Sequence, residues 1–286
     1  FLSQGAIAMT ISTVMGSLFL LGVYALMRRT GRTWWLWSAG FAAAAVSAGL
    51  LLAPTLIEPL FNQYKPIPEG PVREAVLDMA KQVDIPADRI FIYDGSRQSN
   101  NFTANVSGIG SAARIAISDV ALKQASLDEV RAVTGHEIGH YVLGHVWRSV
   151  GVLSLLVVVL FFLADRLHPR LARALGSPTT DISDPRGLPV LMLVLSILGT
   201  LALPVTNALT RIGESEADAY SLQMVNLPDA LAGALVKTAE YRYPRPHPLQ
   251  EMLFYTHPSV ERRVRSAMEW KAKHPAGKPA TATANP

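Results

Sequence analysis

Charge is distributed unevenly along the chain. No Asp, Glu, Lys or Arg occurs in residues 1–27, 34–57, 149–164 or 187–210. Crossing the hydrocarbon of a bilayer takes about 20 apolar residues as a helix. The first, second and fourth windows meet that length, and the third falls short by itself. Trp34, Trp35 and Trp37 open the second window as an interfacial aromatic cluster, and residues 28–32 before it are long enough only for a turn. The fourth window carries Pro189, Pro204 and Asn207. Prolines are tolerated inside a span where neighbouring groups satisfy the freed carbonyls. The pattern predicts four spans, two within residues 1–61 and two, joined by a short loop, within 149–210.

Polar sequence fills the rest. Residues 62–148 read as a soluble part: a helix over 71–83, a strand over 89–93, a turn at 94–96, and a Ser/Asn/Thr-rich stretch, 99–107, ending at Gly108. A second strand over 114–117 alternates so weakly that it suits burial on both faces. Ser126 followed by Glu129 is a capping box, opening a helix expected to run unbroken through His136 and His140 into the third span. Residues 211–274 hold helices over 211–225 and 228–241, a Pro-rich loop at 244–248 and a basic helix from Pro258. The tail, 275–286, is expected to be disordered. The opening at Phe1, with no Met and no basic leader, reads as a fragment that further spans precede, not as a signal peptide.

Composition sharpens this picture. The chain of 286 residues is 50% hydrophobic and 17% charged, with no cysteine. A wholly soluble enzyme, a disulfide scaffold, a thiolate metal site and a cysteine nucleophile are excluded or disfavoured. The net charge of +4 is concentrated after His257, where Arg262, Arg263, Arg265, Lys271, Lys273 and Lys278 outweigh Glu261 and Glu269. Beside membrane spans, such a helix faces lipid headgroups and not nucleic acid.

His136-Glu137-Ile138-Gly139-His140 is the run that carries chemistry. On a helix, positions i and i+4 differ by about 40° and roughly 6 Å of rise, so both imidazoles reach one ion. Glu137 is angled to hold a water there and take its proton. Catalytic zinc takes three protein ligands and keeps the fourth position open. Without cysteine, the third comes from His, Asp or Glu on another element. The polar run after the fourth span supplies Glu214 and Asp218, an i,i+4 pair, with Glu216 facing roughly opposite. We read Glu214 as the ligand and Asp218 as the group holding a ligand histidine by its free N–H; the exchanged assignment and a merely solvated acidic face are the alternatives. On an ideal helix His145 lies about 160° from the mean direction of the other two and reads as interfacial. His168, placed in the Arg-rich loop, His247 and His274 read as structural. His257, ahead of Pro258, and Arg263 could return to the site.

His136-Glu137-Ile138-Gly139-His140, the Glu214–Asp218 run and His257-Pro258, in this order and interleaved with spans, resemble the integral-membrane zinc proteases of the CAAX prenyl protease 1 type and the related bacterial heat-shock membrane metalloproteases. The resemblance covers roughly residues 57–268. It implies a mainly α, polytopic membrane protein with a gluzincin-like zinc protease domain containing a small β-sheet. It also implies one zinc per chain on His136, His140 and Glu214, Glu137 as general base, Asp218 as support, and a chamber walled by the spans. The stretch 99–107 falls where the family keeps a substrate-pairing edge strand, making Asn101, Thr103, Ala104 and Asn105 candidate substrate contacts. The family's His-x-Asn-Ala pattern is replaced there by Asn101-Phe102-Thr103-Ala104. His257 and Arg263 match positions expected to touch substrate, Arg262 being the alternative by a one-residue shift.

The function expected is zinc-dependent endoproteolysis of a peptide or protein substrate, prenylated or membrane-associated, with CAAX-type C-terminal processing as one form. A heat-shock-type quality-control protease and a non-catalytic membrane chamber are the rival readings. A transporter would need ionisable residues within the spans, and the windows contain none. Arg28, Arg29 and Arg32, then Arg166, Arg170, Arg173 and Arg186, occupy the two short connections. The positive-inside rule makes that side cytoplasmic, whereas the eukaryotic family members imply a cytosolic active site; the side stays open.

Overall fold

Apolar continuity becomes long helix and polar punctuation becomes small sheet in the computed structural model, which describes residues 2–108, 110–239 and 243–274. In chain order the elements begin with α1 (Leu2–Thr30), α2 (Trp34–Leu56), β1 (Tyr64–Pro66), α3 (Pro71–Lys81), β2 (Ile90–Tyr93), β3 (Ala104–Ser107) and β4 (Arg114–Ser118). They continue with α4 (Asp119–Gln124), α5 (Leu127–Val142), α6 (His145–Ala174), α7 (Leu188–Val225), α8 (Pro228–Lys237), α9 (Pro248–Phe254) and α10 (Val260–Lys273). The tail expected to be disordered, and the last two residues of the helix expected over 228–241, lie outside the described residues. The chain divides into two compact units, Phe1–Ala53 with Val146–Thr206, and Pro54–His145 with Asn207–Pro286.

The first unit is built from membrane-length helices. Stretches long and apolar enough to cross a bilayer are Gln4–Leu56, His145–Ala174 and Pro185–Val225. The first of these contains both α1 and α2, hinged at a 3-10 turn over Gly31–Thr33. Met9, Leu21, Leu155 and Leu201 point outward. So much exposed apolar surface would drive aggregation in water, and a bilayer is the solvent that suits it. Inside, Val23, Met27, Trp34, Ala164, Val194 and Leu198 pack together. The Trp34 indole N–H donates to Asp165 at 2.5 Å, tying the start of α2 to α6. His168 is not in a loop: α6 runs past it, and its ring is fully buried with Nε2 3.3 Å from the Gly187 carbonyl.

The second unit carries a four-stranded sheet in the order β1-β2-β4-β3. β2 and β4 run parallel, with Ile90 opposite Ile115 and Ile92 opposite Ile117, while β1 and β3 are antiparallel edges. Ile115 and Ile117 of β4 are fully buried against Val76 and Met79 of α3 and Ile138 of α5. Burying each such side chain contributes about 1.5–3 kcal/mol. The edge strand is shorter than the 99–107 stretch, because only 104–107 pairs with β4. β1, α4 and α9 had no sequence signal strong enough to place them.

The capping box at the start of α5 is formed in both directions, between the Ser126 side chain and the Glu129 backbone and between the Glu129 side chain and the Ser126 backbone. The expected unbroken helix is not formed. Gly144 sits at φ +65°, Leu143 N–H bonds to Gly139 O and Gly144 N–H to Tyr141 O, so α5 closes before α6 starts at His145. A left-handed residue after a helix is usually glycine, since glycine alone has no Cβ to clash there.

Candidate active site

Two helices of the second unit bring the site together. On α5, Gly135 and Gly139 lie one turn apart on the face turned to α7. A Cβ on Gly139 would come within 3.0 Å of the Tyr220 Cβ and 3.1 Å of the Ala217 Cα, and one on Gly135 within 3.1 Å of Ser221 Oγ. Small residues at this spacing let two helix backbones approach. Ser221 Oγ donates to the Ala132 carbonyl at 2.6 Å and fixes the register. In that register Glu214 and Asp218, one turn apart on α7, face His136 and His140.

His136 Nε2 and His140 Nε2 converge to 3.1 Å, and the Glu214 oxygens lie 3.5 Å from each. The ligand-capable atoms of His136, His140 and Glu214 all fall within 4.8 Å of one another. Two imidazoles and one carboxylate, aimed at one point and open to a cavity, fit a divalent metal ion with a position left for water. Asp218 Oδ1 takes the other face of His136, 2.9 Å from Nδ1. Behind it Arg263 forms a two-pronged pair, Nε to Oδ2 and Nη2 to Oδ1, each at 2.7 Å. Its remaining Nη1 lies 3.2 Å from Glu214. Removing one partner from so buried a cluster strands a charge.

The electrostatics follow from burial and these contacts. For His136 burial disfavours the cation, but the Asp218 carboxylate at Nδ1 outweighs it and the ring's pKa is raised. Burial pushes the Glu137 carboxyl up, against the two neighbouring imidazoles. Burial likewise works against the Arg263 cation, yet its pair with Asp218 holds it charged.

Glu137 faces a cavity of about 260 Å³ that Asn101, Thr103, Ala104, Glu214, His257 and Arg263 also line. His257 Nε2 lies 3.3 Å from Glu214 Oε1. Arg263 reaches the site, whereas Arg262 turns away to Glu251 at 3.5 Å. Asn105 does not line the cavity; it lies in β3 opposite Ala116. Of the apolar lining, Phe102 falls inside the 99–107 stretch and Val133 lies one turn before His136, whereas Leu231, Ala234 and Leu235 carried no signal in the sequence. His145 is misplaced by ideal-helix geometry: after the break at Gly144 its Nδ1 comes 2.7 Å from His140 Nδ1.

Comparison with known proteins agrees with this geometry. The model for peptidase family M48 matches residues 66–271, and the model described as the CAAX prenyl protease N-terminal, five membrane helices, matches residues 1–63. Among curated proteins, the chain is 29% identical to the uncharacterized metalloprotease YhfN of Bacillus subtilis, over 91% of this chain and 62% of that one. It is 30% identical to the CAAX prenyl protease 1 homolog of Arabidopsis thaliana, over 81% and 55%. To CAAX prenyl protease 1 of Saccharomyces cerevisiae the identity is 27%, over 75% and 51%. The chain thus spans between half and two thirds of the length of these relatives. The crystal structure of S. mikatae Ste24p shares the fold, with a TM-score of 0.79 at 23% identity over 93% of this chain and 66% of that one. With a family model covering residues 66–271 and the helical apolar stretches of the first unit, the chain is a multi-pass integral membrane protein and belongs to the M48 family of metallopeptidases.

Proposed function

We propose that the protein is an integral-membrane zinc endopeptidase whose metal is held by His136, His140 and Glu214. The observation that carries this reading is the convergence of those three side chains within 4.8 Å beside a cavity that Glu137 faces. A zinc ion held there supplies Lewis acidity and lowers the pKa of a water toward about 7. The residues of the chain do the rest. Glu137 accepts a proton from the attacking water and hands it to the leaving amine, and burial, which raises its carboxyl, favours it as a base. Asp218 keeps His136 in one orientation, with Nε2 turned to the site. Arg263 spends Nε and Nη2 on Asp218 and Nη1 on Glu214, so it braces both carboxylates. His257, with Nε2 3.3 Å from Glu214 Oε1, and Arg263 both line the cavity and are the donors at hand for the oxyanion that develops on the scissile carbonyl. Asn101 and Thr103, just before the edge strand β3, and Ala104, its first residue, are the surface against which an extended peptide lies.

Relatives named CAAX prenyl protease 1 make a prenylated C-terminal peptide the first substrate class of this reading. A non-catalytic chamber would have had no use for Glu137. The test is to incubate the purified chain with a peptide library and with a farnesylated CAAX peptide, with and without chelator. Chelator-sensitive cleavage is expected, and cleavage of the farnesylated peptide alone would narrow the substrate to prenylated chains. No cleavage of either, with the metal in place, would overturn the proposal.

A further inference from the structure

We propose that His145 and Glu216 form a second positioning arm of the metal site, acting on His140 as Asp218 acts on His136. This rests on the zinc reading above. His140 turns Nε2 toward His136 Nε2 and Glu214, which leaves its Nδ1 on the far side of the ring. There it meets His145 Nδ1 at 2.7 Å. Two ring nitrogens at that distance hold one proton between them. With His140 Nε2 needed as a ligand lone pair, the proton sits on His140 Nδ1, and His145 accepts through a bare Nδ1. The neutral His145 ring then carries its own proton on Nε2. That nitrogen lies 3.0 Å from Glu216 Oε2. The carboxylate favours a proton on the nitrogen facing it, so the chain of contacts settles both tautomers from one end. Each of the two rings then carries one proton, and each of their nitrogens has one role.

The backbone is shaped for this. Were α5 continuous with α6, His145 would point about 160° away from the ligand pair. The left-handed turn at Gly144, φ +65°, folds it back, and it is buried. Glu216, although it is on the opposite side of α7 from Glu214 in the sequence pattern, reaches His145 because the restarted helix carries that residue round to it. Ligand histidines commonly have their outer nitrogen held in this way, and losing the holder typically lowers metal affinity 10–100-fold.

The test measures zinc affinity of the full chain in detergent by chelator competition, with the unfolding midpoint of the metal-stripped protein recorded alongside. His145→Phe keeps a planar ring and removes the acceptor. It is expected to weaken zinc binding about 10–100-fold while leaving the metal-free midpoint where the wild type has it. His145→Gln, whose amide oxygen can accept from His140, is expected to recover most of that loss. Glu216→Gln is expected to cost less, and adding it to His145→Phe is expected to cost nothing further. Zinc binding by His145→Phe within twofold of wild type would overturn the proposal, as would a loss that tracks a lowered metal-free midpoint and is not rescued by Gln. A wild-type chain that binds no zinc overturns the zinc reading itself, a separate result.

Discussion

Asp218 is the residue on which most of the site's order depends. It is buried, holds His136 Nδ1 at 2.9 Å and receives both prongs of Arg263. Asp218→Asn keeps the shape but puts an amide where one prong of Arg263 points. We expect metal affinity to fall about 10–100-fold, read by chelator competition, with Arg263→Lys giving a related loss because a lysine cannot fork. Glu137→Gln should leave metal binding intact and cut turnover by about 100-fold or more, measured with any peptide the wild type cleaves. At this scale the sequence was readable where chemistry follows helical period: His136 and His140 at i,i+4, then Glu214 and Asp218 at i,i+4. It was unreadable where a turn intervened. Gly144, after the last periodic residue of α5, was the one signal that a helix ended there, and without it His145 was turned the wrong way.

Among the elements, α5 and α7 make the site by touching. Gly139→Ala forces a methyl against the Ala217 backbone and Tyr220, both of which have little freedom to move. Overpacking of this kind costs about 1–3 kcal/mol, and since α7 carries Glu214, metal affinity should fall with the unfolding midpoint. The start of α5 is held by a different device. Glu129 is buried, and burial alone would raise its carboxyl, but Lys237 Nζ at 2.7 Å and the Ser126 N–H at 2.8 Å hold it below the usual range. A folded pKa below the unfolded value of about 4.3 contributes stability that is complete above that value and disappears as pH falls through the folded one. The midpoint of the wild type should therefore drop on acidification below about pH 4.3, and Glu129→Gln should be less stable at neutral pH with a shallower acid limb. Ser126→Ala should cost about 1 kcal/mol. Capping and both central strands were legible because Ser, Glu and β-branched runs act locally. The edges were not: Tyr64–Pro66 becomes β1 only because β2 offers it a partner, and Pro248–Phe254 becomes α9 although it follows a proline-rich loop.

For the molecule as a whole, charge-free windows sufficed to show that it lives in a membrane, because no soluble fold leaves so many large apolar side chains exposed on long helices. What they could not show was where each helix stops. α7 runs on through Val225, so the polar 211–225 segment and the fourth span are one helix. Arg28, Arg29 and Arg32 follow one span, and Arg166, Arg170 and Arg173 end another. The positive-inside rule puts these ends in the cytoplasm, against the cytosolic active site that the family resemblance implies. Because the chain has no cysteine, single cysteines at Arg29 and Arg170 decide between the two: both resist an impermeant thiol label added from outside if the rule holds, and both are labelled if it does not. Everything proposed for the site depends on one ion bound by His136, His140 and Glu214, so metal stoichiometry of the purified chain tests it most directly. The expected result is about one zinc per chain, kept in Glu137→Gln and lost in His136→Ala, His140→Ala and Glu214→Ala. Zinc retained at full stoichiometry by those three variants, or absent from the wild type after saturation, would contradict it.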